Sequence, residues 1–314
     1  MTAPPLVVIG GPTGTGKSAL SLELAETLRD RGLRAEVVNA DAMQLYRGMD
    51  IGTAKLPIEE RHGIPHHLLD VLEVTDLSTV AGYQELARAA VDDIRARGAV
   101  PLLVGGSGLY ISALMHDFRF PGTDDVIRER LERELADRGS GAMWERLREA
   151  DPTAALTIDP ANGRRVIRAL EVIEFTGEPY SATLPDEAPY RVPTIVTLLD
   201  VDPAERPVLK KRLAERARAM FDDGLLDEVE QLLPLGLAEG LTASRAIGYA
   251  QAIDVLAGRR TRADAIDDTT ALTWRYVRRQ RSWFGRYRDA HRIPVGDPAA
   301  AGRVLALLES RLET

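Results

Sequence analysis

Residues 11 to 18 read Gly-Pro-Thr-Gly-Thr-Gly-Lys-Ser, a complete G-x-x-x-x-G-K-[ST] phosphate loop. The apolar run Leu6-Val-Val-Ile9 leads into it, and a helical pattern opens at Ser18. Strand, glycine-rich loop and helix in that order point to an α/β unit that holds a di- or triphosphate. In such a loop the backbone N–H groups face one concavity, the lysine reaches the outer phosphates and the terminal hydroxyl can ligate Mg²⁺. The helix that follows adds its positive end to the same anion. Gly11, Pro12, Thr13, Gly14, Thr15, Gly16, Lys17 and Ser18 are therefore the candidate diphosphate-binding residues, with Ser18 the candidate metal ligand.

The chain has 314 residues, enough for one large α/β domain and a smaller one. It contains no cysteine, which excludes disulfides and thiolate zinc sites and suits a reducing compartment. No basic segment precedes the first apolar run, and no later run could span a membrane, so a cytoplasmic protein is expected. The net charge of −8 argues against a uniformly basic nucleic-acid binder. No heptad repeat is present, and a monomer is the simplest expectation.

Apolar strands alternate with helices through the first half: residues 35–40, 65–71 and 100–104 as strands, and 79–97 as an amphipathic helix. A further strand is expected at 194–199, and helices from residue 202 to the end. Buried strands separated by helices imply a doubly wound parallel sheet with its site beyond the strands' carboxyl ends. Between the fourth and fifth strands about ninety residues show only helical patterns, at 124–138, 142–150 and 164–176. The expected organisation is a P-loop core of residues 1–118 and 193–314, with C-terminal helices, and an inserted helical domain of 119–192.

Past the second strand, Asp41 opens the run Asp41-Ala-Met-Gln44 that leads to Gly48-Met-Asp-Ile-Gly-Thr-Ala-Lys55. A carboxylate there can take a proton from a nucleophile, hold Mg²⁺, or cap a helix. The fourth strand ends in Gly105-Gly-Ser-Gly-Leu-Tyr110, where an ATP-hydrolysing protein would carry an acid for Mg²⁺ and water. Glycines and a hydroxyl suit instead a bulky group close to the backbone.

With these motifs, and with Arg165-Val-Ile-Arg-Ala-Leu-Glu-Val172, Arg245-Ala-Ile-Gly-Tyr249 and Arg278-Arg-Gln-Arg-Ser-Trp-Phe284, the chain resembles the tRNA dimethylallyltransferases nearly from end to end. The resemblance implies transfer of a dimethylallyl group from dimethylallyl diphosphate to N6 of the adenine immediately 3′ of the anticodon, with Mg²⁺. It implies Asp41 as the base, Thr13 on the diphosphate, and Ser107, where the family usually has Thr, on the adenine or ribose. Arg212 or Arg216 is implied to face the diphosphate, and the sequence does not choose between them. Ala42, Met43, Gln44, Arg245, Gly248 and Tyr249 are implied to meet the tRNA.

An adenine in an anticodon loop must be flipped out to reach such a cavity, which calls for phosphate contacts around its mouth. Arg128, Arg164, Arg165 and Arg168, with Val166 and Ile167 between the last two, are candidates for the anticodon stem-loop. The competing expectation for Arg165 and Arg168 is a helix face paired to Glu171 and Glu174. From Arg259 to Arg292 ten arginines stand against four aspartates, Arg278 and Arg279 among them, as expected of a nucleic-acid surface. Tyr276 and Trp283, seven apart, have core spacing and are expected to be mostly buried. His66 and His67 alternate sides of a strand and are not expected to share a metal. A small-molecule kinase and an RNA-binding NTPase remain as rival classes.

Overall fold

In the computed structural model, residues 3–118, 120–183 and 189–312 are described. The run from Leu6 forms β1 (Leu6–Gly10), and every residue of it is buried. It is followed by α1 (Lys17–Asp30), β2 (Ala35–Ala40), β3 (His66–His67), α2 (Val80–Ala96), β4 (Val100–Gly105) and α3 (Gly108–Met115). Three helices come next: α4 (Asp125–Ala150), α5 (Pro152–Thr157) and α6 (Gly163–Thr176). The chain then continues through β5 (Thr194–Asp200), α7 (Arg206–Asp222), α8 (Leu225–Leu232), α9 (Tyr249–Leu256), α10 (Arg262–Phe284), β6 (His291–Pro294) and α11 (Ala300–Leu312).

The six strands are all parallel, in the order β3-β2-β4-β1-β5-β6. Strands paired only in parallel need covered faces, and their near-continuous apolar sequences meet that need. One face packs on Leu20, Leu24 and Leu28 of α1 and on Val304, Leu305 and Leu308 of α11. The other packs on Tyr83, Ala87, Val91 and Ile94 of α2 and on Ile111 and Leu114 of α3. The reversal of strand order around β1 and β4 puts the phosphate loop and the β4–α3 turn side by side at the carboxyl edge.

Two compact units result: Met1–Met115 with Arg191–Thr314, and His116–Tyr190. The second unit is helical, with its own core of Leu131, Leu147, Ile158, Val166, Ile167 and Leu170. In α4 the helical path breaks at Gly139 (φ 77°, ψ 163°), a conformation that only glycine adopts without strain. No helix among the described residues is long and apolar enough to cross a membrane.

Two expectations fail at the sheet edges. The strand expected over 65–71 is only His66–His67, because Leu68 and Asp70 turn the chain away with left-handed φ of 62° and 58°. The stretch after residue 202 is not wholly helical, since β6 adds a parallel edge strand to β5.

Candidate active site

Three chain turns meet at the carboxyl edge: the phosphate loop after β1, the Asp41 loop after β2 and the Gly105-Gly-Ser turn after β4. Their closeness explains the glycines. A Cβ on Gly105 would lie 2.2 Å from Ala40 O, so only glycine lets β4 end against β2. One on Gly14 (φ 77°) would lie 2.8 Å from Leu213 Cδ2 of α7.

Two adjoining cavities of about 250 and 300 Å³ open here and share Thr13, Asp41, Thr53 and Arg216 in their walls. The first holds Lys17 and, shared with the second, Arg216. Lys17 Nζ donates to Pro12 O at 2.7 Å, and burial lowers its pKa to about 8. Asp41 opposes that shift and Arg216 adds to it. Arg216 Nη1 reaches Thr13 Oγ1 at 3.3 Å, and burial lowers its pKa too, against the pull of Asp41. The two α7 arginines that the sequence left as alternatives are placed differently. Arg216 lines both cavities, whereas Arg212 is exposed and donates to Gly14 O. One loop amide departs from the expected cradle: Thr13 N donates to Gln280 Oε1 at 2.9 Å.

The exposed Ser18 lines the first cavity, yet no group of three or more His, Cys, Asp or Glu among the described residues could hold a metal ion. That donor set suits a hard cation arriving on phosphate oxygens and sharing Ser18, not one held in an all-protein cage.

The second cavity is lined by Asp41, Ala42, Met43 and Ser107, by Leu213, Ala217 and Met220 of α7, by Arg245 and Tyr249, and by Thr273, Tyr276 and Arg279 of α10. Asp41 is gripped by the buried Asn39, whose Oδ1 accepts from Asp41 N (2.9 Å) and whose Nδ2 donates to Asp41 O (3.0 Å). Asp41 Oδ1 accepts from Met43 N at 3.0 Å, and Ser107 Oγ accepts from Ala42 N at 3.1 Å. Gln44 lies on the phosphate side, where its amide donates to Thr53 O at 3.2 Å. The rest of the loop is anchored by the buried Lys55, 2.6 Å from both Asp50 and Asp70. Glu228 anchors it too, accepting from Ile51 N (2.8 Å) and from Tyr249 OH (2.5 Å). Tyr249 is thus a fully buried wall, and Gly248 (φ 95°) starts its helix.

Tyr276 is not core. It is only partly buried, its ring lies 5.6 Å from the Arg279 guanidinium, and its hydroxyl is pushed up to about 12 by burial and by the Asp41 charge. Trp283 does pack inward, on Gly108. Arg278 and Arg279 are exposed, but Arg259, Arg260, Arg262 and Arg292 of the same basic stretch pair with Asp254, Asp268, Asp222 and Asp200. His66 lines the first cavity, while His67 Nε2 contacts Glu36 at 2.7 Å.

In the helical unit the expected arginines divide. Glu171 is fully buried, and its Oε2 accepts from Arg128 (2.8 Å) and Arg168 (3.0 Å). Burial pushes its carboxyl up, but these bonds and Asp124 N outweigh that and hold it below its ordinary value. Arg168 also donates to Pro121 O and Gly122 O. Arg128 and Arg168 are therefore committed within the unit, while Arg164 and Arg165 stand exposed. Val166 and Ile167 are buried, so their side chains belong to the core and not to a binding surface. Asn39, Gln280 and the cavity face of Tyr276 have no local sequence signature. Only the helical spacing of Thr273, Tyr276 and Gln280 at i, i+3 and i+7 marks one shared face.

Comparison with known proteins adds three findings. A family model described as IPP transferase matches residues 44–287. The tRNA dimethylallyltransferase of Clavibacter sepedonicus is 57% identical over 293 residues, 93% of this chain and 94% of that one. That of Salinispora tropica is 54% identical over 308 residues, 98% and 93% of the two chains. Among solved structures, the full-length tRNA isopentenylpyrophosphate transferase of Bacillus halodurans aligns with a TM-score of 0.69 and 36% identity, covering 99% and 96%. A eukaryotic dimethylallyltransferase acting on tRNA aligns with a TM-score of 0.81 and 26% identity, covering 99% and 80%.

Proposed function

This chain belongs to the IPP transferase family of tRNA dimethylallyltransferases, and from that membership we propose how its residues divide the reaction. The activity is transfer of a dimethylallyl group to tRNA. The observation that supports the division is that two adjoining cavities carry Lys17 and Arg216 beside the phosphate loop and Asp41, Ser107 and Tyr276 on the shared and second walls.

The donor is dimethylallyl diphosphate, seated on Gly11–Ser18. Its C1–O bond breaks with both electrons leaving on the diphosphate. Lys17, Arg216, the Thr13 hydroxyl and the remaining loop amides meet the charge that develops there. A divalent cation, Mg²⁺ in this proposal, shared between Ser18 and the phosphates would supply further positive charge at the leaving group. Arg212 supports the loop from outside through Gly14 O.

The acceptor is N6 of the flipped adenine immediately 3′ of the anticodon. Its lone pair is delocalised into the ring, so loss of the proton must accompany C–N bond formation. Asp41, held at both backbone groups by Asn39, accepts that proton. Ser107 meets the adenine or its ribose, and Ala42, Met43, Gln44, Arg245, Gly248, Tyr249, Arg278 and Arg279 form the surroundings of the anticodon loop. In the helical unit, Arg164 and Arg165 contact phosphates of the anticodon stem-loop. A monomer working in the cytoplasm, where its tRNA substrate is made, completes the reading.

The test is incubation with Mg²⁺, unmodified tRNA and either dimethylallyl diphosphate or ATP, followed by mass analysis of the RNA. A gain of one dimethylallyl group only with the prenyl donor is expected. ATP turnover without that gain would return the chain to the kinase or NTPase class.

A further inference from the structure

Gln280 takes no part in the roles above, yet it makes a side-chain contact that bridges the two walls of the site beyond the end of the β1–β4 pairing. It is a neutral amide on α10, only 4% exposed, and both of its polar atoms are used. Oε1 accepts from Thr13 N of the phosphate loop at 2.9 Å, and Nε2 donates to Gly106 O at 3.0 Å. A Cβ on Gly106 would lie 2.2 Å from that Nε2, so the glycine is what lets the amide in. From Gly106 the connection is short: Ser107 N donates to Ala40 O, and Ser107 Oγ accepts from Ala42 N beside Asp41.

One side chain thus spans from the loop that holds the leaving group to the turn that holds the acceptor. Resting on the prenyl-transfer reading, we infer that Gln280 is a positioning residue, whose amide sets the separation and alignment of diphosphate and nucleophile.

The chemistry restricts which side chain can do this. A donor and an acceptor are needed in one plane, a few bonds apart; a carboxylate offers only acceptors and a thioether offers no donor. Loss of the amide leaves Thr13 N and Gly106 O without partners in a buried place and frees the two walls to shift. A misplacement of about 1 Å in such a constellation costs on the order of 10²-fold in rate. Each substrate still has its own wall, so binding is largely spared.

Gln280→Met and Gln280→Glu separate this role from simple packing. For Gln280→Met, single-turnover prenylation with both substrates saturating should fall roughly 10- to 100-fold. The Kd for dimethylallyl diphosphate and for tRNA, measured singly, should stay within about threefold, because neither binding wall is removed. Gln280→Glu keeps the shape and can donate to Gly106 O only when protonated. Burial against that carbonyl and the Asp41 charge raise the new carboxyl's pKa, while Lys17, Arg216 and Arg279 pull it down; Tyr276 stays neutral in this range. At a position this closed to water, burial and the Gly106 carbonyl outweigh those cations, so the rate of Gln280→Glu relative to wild type should rise about tenfold as pH falls from about 8.5 to 6.

If Gln280→Met does not fold, Gln280→Glu carries the test through that pH profile. A constant ratio across the range, or a wild-type single-turnover rate for both variants, would overturn the inference. The wild-type protein in the same assay reports separately on the prenyl-transfer reading, since its failure to modify tRNA would count against that reading alone.

Discussion

Lys17 carries the charge that the donor needs and holds it at a cost. By area the residue is partly exposed, but its ammonium lies inside the loop against Pro12 O, which is why burial dominates and its pKa falls to about 8. A diphosphate placed beside it brings opposite charge and raises that pKa again. Binding above about pH 8 must then take up a proton, close to 0.9 per ligand at pH 9. Affinity for dimethylallyl diphosphate should be level below about pH 8 and fall about tenfold per pH unit above it, so that Kd rises roughly 25-fold from pH 7.5 to 9.5. Stability of the ligand-free protein changes in the opposite direction. The unfolded lysine titrates near 10.5, so the ligand-free protein gains stability as pH rises from about 8 toward 10.5. Isothermal titration calorimetry at pH 9, in two buffers of different ionisation enthalpy and without tRNA, counts the protons. Lys17→Met should bind weakly, with neither proton uptake nor pH dependence. A wild-type protein that takes up no proton at pH 9 and shows level affinity would refute the depressed ammonium and the arrangement built on it.

Asp41→Asn should lower kcat about 10²- to 10⁴-fold, as expected for loss of a general base, with diphosphate affinity undiminished because an anion beside Lys17 and Arg216 has gone; near-full turnover would reduce Asp41 to a structural acceptor for Met43 N. Arg164→Ala with Arg165→Ala should leave the melting temperature unchanged and flatten the log–log salt dependence of tRNA affinity by about 0.7 to 0.9 for each phosphate no longer neutralised. Arg168→Ala should instead destabilise the helical unit, by about 1–3 kcal/mol, since it strips a partner from the buried Glu171. Glu171 is held below its usual 4.5, so its contribution is complete above that pH and is lost as pH falls below it; acid unfolding followed by circular dichroism should show this loss in wild type and not in Glu171→Gln.

What the sequence shows of this protein, and what it hides, follows from how far each constraint reaches along the chain. Glycines at 14 and 105 are legible because each answers a steric demand that the backbone makes at its own position. Edge strands are legible only weakly. His-Arg-Ile-Pro presents a single buried apolar side chain, Ile293, so β6 lacks the continuous apolar signature of β1 or β4. Helical spacing is ambiguous in a different way. Tyr276 and Trp283 share a period that serves a core and a cavity wall equally well, and only the packing of α10 over Gly106 and Gly108 separates the two uses. The arginines of α6 make the same point through charge. An i, i+3 pairing of Arg168 with Glu171 is visible in the sequence, but its depth depends on α4 delivering Arg128 to the same carboxylate. That burial separates Arg168, held in the fold, from Arg165, left in solvent three residues before it. The Thr13–Gln280 bond, across 267 residues, is the limiting case. No local pattern could announce it, because a glutamine on an arginine-rich helix is ordinary until a phosphate loop is folded against it.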